Sequence, residues 1–226
     1  MIELRNLCKT YTLNGISKTV ARDLSFTFPS GECVGLLGRN GAGKSSLLRM
    51  IAGTMNPDSG QIISDGSISW PVGFAGSFHP DLTGAQNAKF VARIYGVDTD
   101  EMVEFVREFA GLDQHYHLPV RTYSSGMRSR LAFGVSMAIQ FDTYLIDEVT
   151  SVGDAAFRAK SEAILKRRLE TSGAIIVSHS MGLLRQLCQS GAVLENGRIF
   201  FYARVERAIE HHEHIMLGTL PAWMRG

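Results

Sequence analysis

The sequence predicts an α/β fold, a parallel β-sheet with helices between its strands, preceded by a β-rich segment. Three short apolar runs, 32–37, 144–147 and 174–177, have the character of buried strands and alternate with helical patterns. The first run enters a glycine-rich turn that opens a helix, and the pattern between about 82 and 140 is helical, as expected of an inserted lobe. The 226 residues, 45% of them hydrophobic, suffice for one domain spanning 1–226.

The first half of the chain begins with strands predicted over 2–8 and 20–28, joined by the polar segment 10–19. Pro29, Ser30 and Gly31 mark a turn before the strand at 32–37. Helices are then predicted over 44–52, 82–95, 99–110 (with Thr99 as its N-cap) and 125–139.

The second half returns to alternating strands and helices. Asn196-Gly197 is a strong signal for a two-residue hairpin between the last two strands. The predicted strands are 144–147, 174–177, 192–194 and 199–201, and the predicted helices are 155–170, 181–188 and about 203–217.

Composition makes some classes of function less favoured. With 23 Lys plus Arg and 22 Asp plus Glu, the net charge of +1 gives no indication of a nucleic-acid partner. Cys8, Cys33 and Cys188 are widely spaced and are expected to be core residues of a protein in a reducing compartment. The sequence shows no signal peptide and no apolar run long enough to span a membrane, so any membrane crossing is expected to belong to another subunit.

A phosphate-binding loop is predicted directly after the strand at 32–37. Its glycines let backbone N–H groups converge on phosphate oxygens, Lys44 can reach the β and γ phosphates, and the Ser45 hydroxyl can bind Mg²⁺. The alternative is an ordinary glycine turn before a helix. The motif comprises Gly38, Arg39, Asn40, Gly41, Ala42, Gly43, Lys44 and Ser45.

Two acidic residues lie at the end of the apolar strand at 144–147. Asp147 is placed to hold the water shell of a metal ion, and Glu148 to accept a proton from a water that attacks the γ-phosphate. The alternative is a charge pair at the start of a helix.

Further motifs identify a resemblance. Residues 123–131 precede the strand that carries Asp147, residues 149–154 follow it, and Val177-Ser178-His179 ends the next strand. With the phosphate loop, this order resembles the ATP-binding cassette (ABC) ATPases over residues 2–201. The resemblance implies a P-loop NTPase with a RecA-like parallel-sheet core, an N-terminal antiparallel β-subdomain and an inserted α-helical lobe at about 82–140.

The resemblance also implies roles for individual residues. It implies a homodimer in which ATP on the 38–46 loop of one subunit, Ser46 included, is covered by the other subunit's signature residues Ser124, Ser125 and Gly126. His179 would contact the γ-phosphate, and Asp154 would communicate across the interface. Tyr11 is placed like the aromatic residue that stacks on adenine, with simple packing as the alternative.

Departures from the general pattern narrow the family. Ser125 and Met127 replace a Gly and the Gln of the signature, and residues 71–84 lack the usual Q-loop glutamine, since Gln86 lies too late to fill that place. These segments resemble the ATPase subunits of bacterial capsular polysaccharide exporters. The resemblance implies a separate ABC-2 type integral membrane permease, a polysaccharide moved only indirectly, and a peripheral location on the cytoplasmic face of the inner membrane.

Three alternatives stay open at this point. The chain also resembles exporters of O-antigen or teichoic acid. A soluble non-transport ABC ATPase is disfavoured by the single cassette without basic stripes, and a binding module without turnover is disfavoured by Glu148 and His179.

Two features outside these motifs carry hypotheses. The cleft lined by Phe74, Ser77, Phe78 and His79 is expected to receive the permease, with packing in the lobe as the alternative. The segment His211-His212-Glu213-His214 is interpreted as a polar helix face rather than a metal site.

Overall fold

The structure, a computed structural model, describes residues 1–74, 76, 78–147 and 154–219. The strands of this part of the chain are β1 (Ile2–Leu13), β2 (Ile16–Phe28), β3 (Cys33–Leu37), β4 (Ser59–Ser64), β5 (Ile68–Pro71), β6 (Thr143–Asp147), β7 (Gly173–Val177), β8 (Ser190–Glu195) and β9 (Arg198–Tyr202). The helices are α1 (Lys44–Ile51), α2 (Gly84–Tyr95), α3 (Thr99–Ala110), α4 (Ser125–Ala138), α5 (Ala155–Leu169), α6 (Met181–Leu187) and α7 (Val205–Leu217).

The chain divides into two compact units. We call residues 1–71, 141–147 and 171–219 the core unit, and the described residues of 72–140 with 154–170 the helical unit. The helical unit includes α5 and is therefore wider than the lobe predicted over about 82–140. The description of 1–226 as a single ATPase domain stays a prediction.

The core unit contains two sheets. The smaller sheet is antiparallel with the order β2-β1-β4, and the larger sheet has the order β5-β6-β7-β3-β8-β9. Neighbouring strands of the larger sheet are parallel from β5 to β8, and β9 returns antiparallel to β8 through a turn at Asn196 and Gly197, both with positive φ. The predicted α/β fold and this hairpin are confirmed.

The β1–β2 hairpin corrects one prediction. Residues 10–19 do not form a polar connection, because β1 and β2 continue to a two-residue turn at Asn14 (φ 51°) and Gly15 (φ 79°). Left-handed dihedral angles at both positions are those of the type I′ turn that matches strand twist. The sequence analysis also missed β4 and β5, which are short and lack a regular apolar alternation.

The hydrophobic core of the core unit lies around α1. Leu47, Leu48 and Ile51 of α1 pack with apolar side chains of both sheets, such as Leu4 and Leu36. Strands β3 and β7 are buried along their whole length, as expected for central parallel strands. This packing fixes the position at which β3 leaves the sheet and α1 begins.

The cysteines agree with a structural role. Cys33 and Cys188 are buried, and burial raises the pKa of the Cys33 thiol to about 11 and that of Cys188 to about 12. Cys8 is half-buried, and its sulfur accepts a hydrogen bond from the backbone N–H of Asp23. Core packing is therefore confirmed for Cys33 and Cys188.

The helices of the helical unit begin at capping side chains. The Thr83 hydroxyl accepts from the Gln86 backbone N–H while the Gln86 side chain accepts from the Thr83 N–H, which is a capping box. Asp98 caps α3, so the prediction of Thr99 as N-cap was wrong by one residue. The aromatic rings of Phe105, Phe109, Phe133 and Phe157 pack together in the interior of the unit.

Helix α7 closes the core unit and corrects a second prediction. His211 is only 3% exposed, its Nδ1 lies 3.0 Å from the Tyr202 hydroxyl, and its Nε2 lies 3.8 Å from Glu195 Oε2. The interpretation of His211 as part of a solvated polar face was therefore wrong. In the part of the chain that the structure describes, no helix is both long enough and apolar enough to span a bilayer.

Candidate phosphate-binding site

The loop between β3 and α1 is folded around Lys44. The Lys44 ammonium donates to the carbonyl oxygens of Gly38 (2.7 Å) and Arg39 (3.2 Å). Lys44 is also the first residue of α1, whose N-cap Gly43 has a left-handed φ of 106°. The lysine is therefore held at the mouth of the loop and at the positive end of a helix, which together favour an anion.

The β1–β2 hairpin lies over this loop. The Tyr11 hydroxyl donates to Ser46 Oγ at 3.0 Å, and the residue is 39% exposed. A Cβ on Gly43 would lie 2.5 Å from Val20 Cβ, and a Cβ on Gly41 (φ 76°) would lie 2.6 Å from Lys18 Nζ. The hairpin therefore approaches the loop so closely that position 43 has no space for a side chain, and the left-handed φ angles favour glycine at both positions.

A cavity of about 390 Å³ lies between the hairpin and the loop. Its walls supply an exposed aromatic side chain, two ammonium groups, two serine hydroxyl groups and backbone N–H groups, a combination that suits a phosphorylated aromatic ligand. The lining residues are Tyr11, Lys18, Val20, Asn40, Gly41, Gly43, Lys44, Ser45, Ser46 and Val177.

Two further predicted residues lie at the same edge of the large sheet. Asp147 ends β6 and pairs with Val177, the last residue of β7, while β7 pairs with β3. The carboxyl ends of these parallel strands therefore bring Asp147, His179 and the loop after Leu37 to one edge. Asp147 is half-buried, and Glu148 lies outside the described residues, so its role stays a prediction.

His212 of α7 lies close enough to this edge of the sheet to be affected by its charged residues. The pKa of His212 is lowered, first by burial and then by the positive charge of Lys44, with a smaller contribution from His179. Nδ1 of His212 is buried and has no hydrogen-bond partner among the described residues. The sequence analysis did not connect His212 with the loop, because only the packing of α7 brings them close.

The predicted signature residues lie in the helical unit. Ser124 caps α4 by accepting from the Met127 backbone N–H at 3.2 Å, and Ser125 and Gly126 are exposed. Asp154 caps α5 and pairs with Arg130 at 2.7 Å. The hydrogen bond from the Phe157 backbone N–H, followed by the Arg130 side chain, lowers the pKa of Asp154.

The segment after β5 is anchored by a residue that the sequence analysis missed. Asn87 of α2 is 2% exposed; its Oδ1 accepts from the His79 N–H, and its Nδ2 donates to the carbonyls of His79, Leu82 and Thr83. Phe74 and His79 are exposed and Phe78 is half-buried, while Ser77 lies outside the described residues. A buried Asn on a helix gives no recognisable signal in one sequence.

Comparison with known proteins identifies the family of this chain. Residues 21–151 match the model of the ABC transporter family. The chain is 48% identical over 216 residues to the polysialic acid transport ATP-binding protein KpsT of Escherichia coli, covering 94% of this chain and 96% of that protein. It is 43% identical over 215 residues to the capsule polysaccharide export ATP-binding protein CtrD of Neisseria meningitidis, covering 95% and 100%.

More distant proteins match at lower identity. An O-antigen export system ATP-binding protein, RfbB of Klebsiella pneumoniae, is 36% identical over 209 residues, covering 90% of this chain and 85% of that protein. Among solved structures, a dimeric post-hydrolysis state of the ATP-binding cassette MJ0796 bound to ADP and Pi superposes with a TM-score of 0.74 at 20% identity, covering 89% of this chain and 98% of that chain.

Proposed function

Because the chain belongs to the ABC transporter family, we propose that it is the ATP-binding and ATP-hydrolysing subunit of an exporter of capsular polysaccharide. One arrangement carries this proposal: Lys44 bonds to the carbonyls of its own loop, Tyr11 bonds to Ser46 at the end of that loop, and Asp147 lies at the same edge of the sheet. The export of a capsular polysaccharide rests on a relative at 43% identity that is named for capsule polysaccharide export and on one at 48% that is named for polysialic acid transport, against 36% for the O-antigen protein.

The residues at the sheet edge fit Mg²⁺. Ser45 offers a hydroxyl oxygen and Asp147 a half-buried carboxylate, and hard divalent cations prefer oxygen donors of this kind. We expect Ser45 to bind the ion directly and Asp147 to hold its water shell. When bound, Mg²⁺ would neutralise charge on the β and γ phosphates.

The protein's own groups supply positioning and proton transfer. Lys44 donates to the carbonyl oxygens of Gly38 and Arg39. Phosphate oxygens would replace these carbonyls as its acceptors. Glu148 would orient the attacking water and take its proton, and His179 would contact the γ-phosphate. Tyr11 would stack on adenine while its hydroxyl stays on Ser46.

A second copy of the chain completes the proposed site. Ser124, Ser125 and Gly126 are exposed in the helical unit, so they are available to cover a nucleotide on another subunit. Asp154 is also exposed in its side chain, which suits a role across the interface. The dimeric fold relative supports this arrangement. ATP binding would close the dimer and hydrolysis would reopen it.

The partner in the membrane is proposed to be a separate ABC-2 type permease. The ATPase would lie on the cytoplasmic face of the bacterial inner membrane and act on the polysaccharide only through that permease. The segment around Phe74, Phe78 and His79 would receive a cytoplasmic segment of the permease, which the anchoring of His79 by Asn87 supports.

The Glu148→Gln variant tests the ATPase. Losing the general base should lower the rate of ATP hydrolysis by about 10² to 10⁴-fold, retain ATP binding and trap an ATP-bound dimer. Glu162→Gln, on the exposed side of α5, is the matched control and should hydrolyse ATP at the parental rate. In the source bacterium, wild-type protein but not Glu148→Gln should restore surface polysaccharide to a deletion strain.

Two outcomes would count against the proposal. Hydrolysis by Glu148→Gln at the parental rate would remove Glu148 from the role of base. A folded wild-type protein without affinity for millimolar ATP in the presence of Mg²⁺ would overturn the function itself.

A further inference from the structure

Lys18 differs from the other lysine of the β1–β2 hairpin. Lys9 is held by Asp58 at 2.7 Å and by the Asn56 carbonyl at 3.0 Å. Lys18 is exposed, and within the described ranges (1–74, 76, 78–147 and 154–219) its ammonium makes no hydrogen bond or ion pair. Three donors are therefore unused beside a loop built to bind phosphate.

The Lys18 ammonium group lies against the phosphate loop. Its Nζ lies over Gly41, where a Cβ would be only 2.6 Å away. Lys18, Asn40 and Gly41 line both the 390 Å³ cavity and a neighbouring cavity of about 270 Å³. The ammonium group thus stands where the two cavities meet at the phosphate loop. The other residues of the second cavity are Thr19, Arg39, Ala42, Leu194, Glu195, Asn196, Gly197 and Ile215.

Strand pairing fixes the direction in which Lys18 points. Lys18 is directly opposite Tyr11 in the hairpin, so both side chains are on the same face. On the other face, hydroxyl pairs join Thr10 to Thr19 at 3.0 Å and Thr12 to Ser17 at 3.1 Å. These pairs hold the register that turns Tyr11 toward Ser46 and Lys18 toward Gly41.

From this geometry we infer that Lys18 is a second phosphate-binding ammonium, acting with Lys44 on the same nucleoside di- or triphosphate. The inference rests on the proposed nucleotide site and adds a specificity residue to it. One cross-strand pair then contacts both ends of the ligand, because Tyr11 faces the base and Lys18 faces the phosphates. An ammonium group binds phosphate oxygens by charge-assisted hydrogen bonds, so it should contribute to the binding of phosphorylated ligands and not to that of adenosine.

The test compares ligands that differ only in phosphates. Calorimetric titration of the full chain with β,γ-imido-ATP, ADP and adenosine would give dissociation constants for wild type and Lys18→Gln. We expect Lys18→Gln to weaken the imido-ATP and ADP complexes by about tenfold and the adenosine complex by less than about twofold. Lys18→Arg should keep most of the affinity, and Lys89→Gln, which removes an equal charge from the exposed face of α2, should keep all of it.

The outcomes separate this inference from the proposed function. Equal weakening for adenosine and ADP, or no weakening, would overturn the role of Lys18 while leaving the ATP site intact. Failure of the wild type to bind any nucleotide would instead overturn the proposed function.

A second measurement uses the wild type alone and does not depend on a variant's folding. ADP should slow acetylation of Lys18 relative to Lys89, measured by mass spectrometry, and adenosine should not. Absence of that protection would also overturn the inference.

Discussion

His212 is surrounded by positive or titratable groups at the phosphate loop. Lys44 and His179 act on it from the sheet edge, while His211 and Glu213 are its neighbours on α7. Burial and the Lys44 charge lower the pKa of His212, so the folded protein keeps this imidazole neutral at pH values where a free histidine is protonated. His211 has a lowered pKa for the same first reason, burial.

The lowered pKa values predict how stability changes with pH. The unfolded chain binds a proton at each histidine near pH 6.5, whereas the folded chain does so only at lower pH. Unfolding therefore takes up protons between the two values, and stability should fall as the pH is lowered through about 6.5. Urea unfolding at pH 7.5 and pH 5.5 should give a lower midpoint at pH 5.5, and His212→Gln should reduce the difference. An unchanged difference in His212→Gln would contradict this assignment, and Lys89→Gln serves as the control.

Helix α2 fixes the segment before it through one side chain. Four hydrogen bonds join the Asn87 amide to the backbone of residues 79–83: Oδ1 accepts one, and the two N–H donors of Nδ2 are shared among three carbonyls. The carbonyl of Thr83 is also the acceptor for the Asn87 N–H, so the anchor lies in the first turn of the helix. A buried amide that bonds to the backbone at both its oxygen and its nitrogen holds a single arrangement of the segment that carries His79.

Removing this anchor should loosen the segment. Asn87→Ala removes the acceptor of the His79 N–H and the side-chain donor to the carbonyls of residues 79, 82 and 83. It should lower stability by about 1–3 kcal/mol, seen as a lower thermal midpoint. The His79 amide should also exchange its hydrogen faster, because its acceptor is gone. Lys89→Ala on the exposed face of the same helix should change stability by less than about 0.5 kcal/mol. Unchanged exchange at His79 in Asn87→Ala would show that other contacts hold the segment.

Elements with a strong local signal could be predicted from the sequence. Helices α1, α3 and α4 and strands β6 and β7 lie within a residue or two of their predicted bounds, because periodicity and glycine turns mark them. The hairpin arms at residues 10–19 were missed because hydroxyl pairs and backbone bonds, rather than alternating apolar residues, hold them. Strands β4 and β5 are stabilised by pairing with strands distant in sequence, so their own residues do not predict a strand.

The candidate site divides in the same way. Lys44, Ser45 and Asp147 could be predicted because a motif and a strand end specify them locally. Lys18, Asn87 and His212 could not, since each acts through an element that tertiary packing brings to it. Asn14-Gly15 was the available signal for Lys18, because a two-residue turn there places Lys18 opposite Tyr11.

At the scale of the whole molecule, the described structure of one chain contains the phosphate loop and signature residues in different units. Ser124 and Gly126 are exposed at the start of α4, and their local contacts are confined to the helix cap. A Cβ on Gly126 would meet nothing closer than Ser124 Oγ, at 3.9 Å. Among the described residues of a single copy, nothing therefore requires glycine at this position, and the proposed second copy would account for it.

Gly126→Ala tests that requirement directly. The chain offers a matched control in Gly182, which is likewise the second residue of a helix capped by a serine and whose Cβ would meet only Ser180 Oγ, also at 3.9 Å. Both variants should fold as stably as the parent or slightly more so, because alanine restricts the unfolded chain. In the Glu148→Gln background, a methyl group in a closed interface should cost about 1–3 kcal/mol, so Gly126→Ala should weaken ATP-dependent dimerisation about 5- to 150-fold. Sedimentation equilibrium with ATP and Mg²⁺ measures this, and Gly182→Ala should dimerise like the parent. If both variants dimerised equally well, the surface around Gly126 would not be the one that closes over the nucleotide.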